Sequence, residues 1–141
     1  MNALHTQFIN NIMKQGKKQK ATRTFYKALE YIQTKGQSSE QVLNQAMELA
    51  SPLLKLCSSK KGSKNVLSPR PLTLKQQRRV GILWMVDQAS KNKNRLEFGE
   101  KLGQEMLNLV NGTSPILQRK LLLHKQALQN RSNVLMTDRI L

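Results

Sequence analysis

Apolar residues recur through most of this chain at the three- to four-residue spacing of helices that bury one face. The spacing predicts an all-α fold, a bundle of about six helices. Apolar stripes lie at residues 8–13, 21–32, 42–50, 80–86 and 96–110, and a sixth helix is expected from 114 to about 130.

Glycine, serine and proline mark the expected ends of the first three helices. Gly16 and Gly36 follow the first two stripes, and glycine readily takes the left-handed backbone that closes many helices. Ser38 and Ser39 are candidate N-caps of the third helix, which must stop near Pro52. These signals predict short connections between the first three helices.

Local signals also bound the remaining helices. Thr73 followed by Gln76 predicts a capping box at the start of the fourth helix. Asn111 and Gly112 are expected to end the fifth helix. Ser114 before Pro115 is expected to start the sixth, because the backbone nitrogen of the first helical residue makes no hydrogen bond within the helix and proline loses none there. The expected apolar face of the fourth helix comprises Val80, Leu83, Trp84 and Val86, with Trp84 taken as a core residue rather than a base-stacking platform.

The segment at about 53–72 differs, because it lacks helical periodicity and contains Gly62, Pro69 and Pro71. Two short strands around a turn at residues 60–64 would form a basic β-hairpin arm between the third and fourth helices. A disordered basic loop is the alternative, and the sequence favours neither. The whole chain, residues 1–141, is expected to form one domain.

Composition narrows the function classes. Aromatic residues are only 4% of the chain, which disfavours a sheet-rich sandwich, and no apolar run approaches the ~20 residues of a membrane-spanning helix. Cys57 is the single cysteine, so an internal disulfide is excluded. His5 and His124 lack metal-ligand spacing, and no phosphate-binding glycine loop is present. We therefore predict no enzyme, no cofactor and no metal.

Charge is the dominant feature of the chain. Lysine and arginine number 24 against eight acidic residues, a formal net charge of +16. Three stretches, residues 1–29, 49–86 and 106–137, contain six, eight and four basic residues and no acid. A surface designed only for solubility would mix the signs. This segregation indicates a face that binds a polyanion.

The order of these motifs resembles small-subunit ribosomal protein seven of bacteria and organelles. The opening at residues 8–18 and 26–30, then Pro52, the Lys60-Lys61-Gly62 tip and Pro69, fall where that family has counterparts. Arg78 and Arg79 lie near its arginine pair, displaced by about two positions, and Trp84, Val86 and Ala89 match a family core motif. Glu105, Gly112 and residues 124–131 match the last helices.

The resemblance implies a primary binder of small-subunit ribosomal RNA that organises the head of the subunit. It implies neighbouring ribosomal proteins as partners, with the arm near the exit-site tRNA and the mRNA path. Charge and resemblance together give the candidate RNA-binding residues Lys14, Lys17, Lys18, Lys20, Arg23, Lys60, Lys61, Lys64, Arg70, Lys75, Arg78, Arg79, Arg119, Lys120, His124, Lys125, Asn130 and Arg131.

Two departures from the family pattern bear on location and contacts. The basic extension before Phe8 is missing or nearly so, and the ending at residues 134–141 lacks the family's aromatics. This drift, with abundant Lys, Asn and Gln, predicts a mitochondrial member in the matrix, with chloroplast or bacterial cytoplasm as alternatives. No transit peptide is expected, because Met1 lies almost at the first helix.

Two other functions stay open at this point. A DNA-binding helical protein would need a recognition helix after a tight turn. The sixth helix is the nearest candidate, although no helix is expected a short turn before it in the right pattern. A cationic membrane-surface protein would need a strongly apolar helix face opposed by lysines, and Leu117, Leu121 and Leu128 with Lys120 and Lys125 form only a weak example.

Overall fold

The computed structural model describes residues 3–133, without the side chain of Lys61. Within that range lie six α-helices and one two-stranded antiparallel hairpin between the third and fourth helices, which confirms the predicted fold class. The elements are α1 (Ala3–Ile12), α2 (Lys18–Thr34), α3 (Ser39–Ala50), β1 (Leu54–Lys61), β2 (Lys64–Pro71), α4 (Leu74–Lys91), α5 (Phe98–Asn111), α6 (Pro115–Gln129) and a final 3₁₀ turn (Arg131–Asn133). The chain ending at residues 134–141, noted above, lies outside the described residues.

The predicted helix ends are confirmed except at α1. That helix stops at Ile12, short of the expected Gly16, because Gln15 already has a left-handed φ of 57° and Gly16 one of 74°. α2 closes as expected before Gly36, whose φ is 79°. Leu96, included in the fifth apolar stripe, precedes the start of α5 at Phe98.

Side-chain caps define the starts of α4 and α6. Thr73 Oγ1 accepts a hydrogen bond from the Gln76 amide at 3.4 Å, and Gln76 Oε1 accepts one from the Thr73 amide at 3.1 Å, which completes the predicted capping box. Ser114 caps α6 by accepting from the Ile116 amide at 3.2 Å, with Pro115 as the first helical residue. Ser38 occupies the N-cap position of α3 as predicted.

The predicted apolar face of α4 is confirmed only in part, since Trp84 and Val86 pack against the core but Leu83 is 43% exposed. The buried residues are Gly81, Ile82, Met85 and Ala89. Trp84 packs against the edge of the core and is half-buried. Residues 80–86 are apolar in every position except Gly81, so periodicity alone could not give the direction of burial.

Helix α5 lies at the centre of the bundle and contacts α2, α3 and α4. Its Leu102, Met106 and Leu109 are completely buried, together with Phe25 of α2 and Leu43 of α3. Glycines allow the closest of these contacts. A Cβ at Gly99 would lie 2.7 Å from the Thr24 carbonyl oxygen, and one at Gly103 would lie 2.7 Å from that of Ala28. The backbones of α2 and α5 therefore approach too closely to admit a side chain.

The segment after α3 is a hairpin rather than a loop. Its register pairs Leu54 with Pro71 at the base and Lys61 with Lys64 at the tip. The turn is therefore only Gly62 and Ser63, tighter than the predicted 60–64, and Gly62 has the positive φ of 62° that a type II′ turn requires. β1 contacts α6, and near the middle of β2 the Leu67 carbonyl accepts a 2.7 Å hydrogen bond from Asn133 Nδ2.

A buried carboxyl group joins α5 to the start of α6. Glu105 is 6% exposed and accepts a hydrogen bond from the hydroxyl of Ser114, the N-cap residue of α6. Burial raises the pKa of Glu105, against the opposing effect of hydrogen bonds from Ser114 and Asn108. The bundle thus carries an ionisable group whose protonated form is favoured by folding.

We predict that Gly103→Ala lowers the free energy of unfolding by about 1–3 kcal/mol, the usual cost of overpacking a core. The new Cβ would collide with backbone, which cannot move aside without separating α2 from α5. Chemical denaturation measures the effect. Gln45→Ala, at an exposed position inside α3, is the control and should leave stability nearly unchanged. Equal stability of the two variants would contradict the close-packing account.

The second prediction concerns pH. Because folding raises the pKa of Glu105, the native state holds this proton after the unfolded chain has released it. Its contribution to stability is therefore most favourable below the ordinary glutamate pKa and declines as pH rises through the raised value. The stability of Glu105→Gln relative to the parent should therefore increase from acid to neutral pH. Thermal unfolding at several pH values measures this difference. Glu48→Gln, at an exposed carboxylate of α3, is the control; a gain independent of pH would refute the prediction.

Candidate nucleic-acid interface

The connection between α1 and α2 concentrates exposed cations. Lys14 and Lys17 lie in the connection, and Lys18, Lys20 and Arg23 occupy the first two turns of α2. The first turn of α2 contains no acidic residue, so these cations lie at the helix end where the dipole disfavours positive charge. An arrangement that opposes helix stability is consistent with a role in binding an anion.

A second group lies at the start of α4. Lys75 is in its first turn. Arg78 and Arg79, which the sequence places near the start of this helix, lie one turn further in. Arg79 is exposed and Arg78 is half-buried. The Lys75 carbonyl accepts a 2.8 Å hydrogen bond from Gln7 Nε2, which fixes α1 against this end of α4.

The first two groups share helix α4 as a common support. A groove of about 440 Å³ runs between the α1–α2 connection and the later part of α4, and its lining includes Lys17, Val86 and Ser90. Arg79 precedes Val86 by seven residues, or about 10 Å along a helix axis. Helix α4 therefore borders the groove that the lysines of the α1–α2 connection line, and it carries Arg79 about two turns before Val86.

The hairpin carries cations at both ends. Lys60 and Lys64 are exposed near the tip, where Lys64 is the register partner of Lys61. At the base, the half-buried Arg70 pairs with the exposed Lys55. Like charges opposite one another destabilise a strand pair, so the pairing of Lys55 with Arg70 favours an anionic ligand. Lys55 was missed among the candidate RNA-binding residues predicted from the sequence. A two-residue turn at Gly62 and Ser63 fixes a register in which Lys55 is opposite Arg70.

Two of the predicted α6 residues bond within the protein. Arg119 Nη1 lies 3.5 Å from Asp87 Oδ2, and its guanidinium lies 4.7 Å from the centre of the Trp84 ring. Lys120 Nζ donates to the Glu48 carbonyl, at the end of α3, at 3.2 Å. Burial lowers the pKa of Lys120. These contacts hold α6 on α3 and α4, so both residues have structural roles that charge segregation did not reveal.

The other α6 candidates are of two kinds. Lys125 and Arg131 are exposed and available to a ligand. His124 is half-buried, and its Nε2 atom is covered without a hydrogen-bond partner among residues 3–133. The Asn130 amide donates to the Gln126 carbonyl at 2.8 Å and accepts from Asn133 at 3.4 Å, so it helps to close α6.

The DNA-binding alternative gains no specific support. α5 ends at Asn111 and α6 begins at Pro115, so a turn of three residues joins them. However, α5 is the buried central helix, and Arg119 of α6 bonds inward. Among the described residues, no helix is long and apolar enough to cross a membrane. Over the same residues, no three His, Cys, Asp or Glu side chains cluster as metal ligands would.

Comparison with known proteins gives one family. Residues 1–131 match the model of the family described as ribosomal protein S7p/S5e. The chain is 35% identical over 126 residues to small ribosomal subunit protein uS7m of Schizosaccharomyces pombe, a match covering 89% of the chain but 48% of that protein. It is 32% identical to uS7 of Nitratiruptor sp., with 90% of the chain and 82% of the relative covered. It is 31% identical to uS7 of Thermus thermophilus, with 92% of the chain and 83% of the relative covered.

The coverage differs among these relatives. The chain spans about half the length of the fission-yeast protein and more than four fifths of the two bacterial proteins. The family match includes all six helices and the hairpin. The chain therefore belongs to the ribosomal protein S7p/S5e family, and it is a structural ribosomal protein rather than an enzyme.

Proposed function

We propose that this protein is a constituent of the small ribosomal subunit that binds the subunit's ribosomal RNA and organises its head. The observation that carries the proposal is the exposed, acid-free group of cations at the α1–α2 connection and along α4, in a chain of this family. Relatives of the chain bear the name of the small ribosomal subunit. Neighbouring proteins of that subunit are the further partners that we infer.

Electrostatics would supply most of the binding energy. Each phosphate that a lysine or arginine neutralises releases condensed counterions, so affinity falls as salt rises. Double-stranded RNA has a deep, narrow major groove that side chains cannot read, so contacts to phosphate and sugar should dominate over base recognition. Lys17, Lys18 and Arg79 suit this role because they are exposed and lie on a rigid helical body.

The hairpin supports a second role, near the exit-site tRNA and the mRNA path. Its tip carries the exposed Lys60 and Lys64, beyond the middle of β2 where Asn133 bonds to Leu67. A narrow two-stranded arm can enter a space between RNA elements that the helical bundle cannot. The hairpin is held by the contact of β1 with α6 and by the hydrogen bond from Asn133 to Leu67, so the tip would be presented in a defined direction.

We infer a mitochondrial location from the relatedness to the fission-yeast protein uS7m. Bacterial relatives match almost as well, at 32% and 31% identity. The location therefore stays a prediction, with chloroplast or bacterial cytoplasm as the alternatives.

For RNA binding, we predict that Lys17→Gln with Lys18→Gln, and separately Arg78→Gln with Arg79→Gln, weaken binding to small-subunit ribosomal RNA. Each lost phosphate contact should flatten the log–log salt dependence by about 0.7, the value for single strands. Filter binding across a salt series measures both quantities. Lys35→Gln with Lys101→Gln removes the same charge from other positions and should change the slope less. Identical slopes for all three variants would overturn the proposed interface.

For the arm, we predict that replacing residues 60–65 by Asn-Gly spares RNA binding by the body but impairs translation by reconstituted subunits. The replacement keeps the Ser59–Val66 register pair and closes it with a favoured two-residue turn. Lys60→Gln with Lys64→Gln, at full length, separates the loss of charge from the loss of reach. If shortening the arm abolishes ribosomal-RNA binding while circular dichroism stays helical, the division of roles is wrong.

A further inference from the structure

The groove between the α1–α2 connection and α4 combines an apolar wall with a cationic rim. Apolar side chains from four elements line it, and so do three lysines and three uncharged polar residues. The lining residues are Ile12, Lys14, Gln15, Lys17, Lys20, Ala21, Thr24, Val86, Ser90 and Phe98. Its volume of about 440 Å³ lies within the range of small-molecule sites, about 300–1,000 Å³.

Tight helix packing places an aromatic ring in this wall. Gly99 lies so close to α2 that a Cβ there would come within 2.7 Å of the Thr24 carbonyl oxygen. Glu97, the N-cap of α5, also pairs with Lys27 of α2. These two contacts fix the start of α5, so Phe98, the residue between Glu97 and Gly99, is held at the groove while remaining half-buried.

The rim is complementary to an anion. Lys14, Lys17 and Lys20 are all exposed, and the lining contains no acidic residue. The hydroxyl groups of Thr24 and Ser90 donate to carbonyls of their own helices, at 3.0 and 2.9 Å, which leaves their oxygens to accept from a ligand. The Gln15 side chain adds an amide that can both donate and accept. An occupant with a flat apolar body, polar edges and attached phosphates fits this set.

We propose that this groove takes an unstacked nucleobase of the bound RNA, with the flanking phosphates on Lys14, Lys17 and Lys20. The inference rests on the proposed function and adds a base-contacting site to it. Single-stranded bases splayed from RNA commonly stack on aromatic side chains, and every base has a suitable face. The apolar floor accommodates the ring of the base. The groove accepts any of the four bases, because it selects a flat ring by shape and not by a pattern of hydrogen-bond donors.

The test compares two probes of equal length, a single-stranded oligouridylate and the corresponding abasic ribose-phosphate oligomer. The parent protein should bind the base-bearing oligomer about tenfold more tightly, because one stacked base accounts for a factor of this order. Ser90→Trp should fill the groove, and Phe98→Leu should remove the aromatic face while keeping apolar bulk. Both variants should reduce the preference severalfold toward unity without changing the affinity for the abasic oligomer.

Gln45→Trp, at an exposed site on α3, is the matched control and should keep the preference. Lys17→Gln with Lys20→Gln should weaken binding of both oligomers by the same factor. Equal affinity of the parent for the two probes, or a preference that survives in both groove variants, would overturn the site. Continued binding of ribosomal RNA in that case would leave the proposed function standing, so the two failures are distinguishable.

Discussion

The close approach of α5 to α2 determines the arrangement of the rest of the molecule. Two glycines one helical turn apart, Gly99 and Gly103, let the α5 backbone touch α2 carbonyl oxygens. This contact centres α5, whose other sides then receive α3 and α4. Further along α5, Glu105 bonds to Ser114, the N-cap residue of α6, and so joins the next helix to this central one.

Several of the few acidic residues are engaged within the fold. Within residues 3–133, ion pairs join His5 to Glu40, Lys27 to Glu97, and Lys91 and Arg119 to Asp87, while Glu105 bonds to Ser114. In that range, leaving aside the side chain of Lys61, no ion pair reaches the cations of the α1–α2 connection or the hairpin. Their repulsion is left for a ligand to relieve. The same charge distribution thus pairs acidic residues within the helical bundle and leaves unpaired cations at the surface.

Local signals in the sequence predicted what depends on local structure. The helix count, the Thr73 capping box and the Ser114 start of α6 are all confirmed, because neighbouring residues determine them. The buried face of α4 could not be predicted, since apolar residues surround that helix at 80–86. The choice between hairpin and loop also stayed open, because the strands are supported by α6 and Asn133, more than 50 residues away.

The candidate site divides in the same way. Charge segregation found the exposed lysines of the α1–α2 connection, which have no acid nearby in sequence. It could not recognise that Arg119 bonds to Asp87, 32 residues earlier, or that Lys120 caps the end of α3. Phe98 was missed because its exposure depends on Gly99 approaching α2. Residues whose surroundings come from distant segments need the folded structure before a surface role and a structural role can be separated.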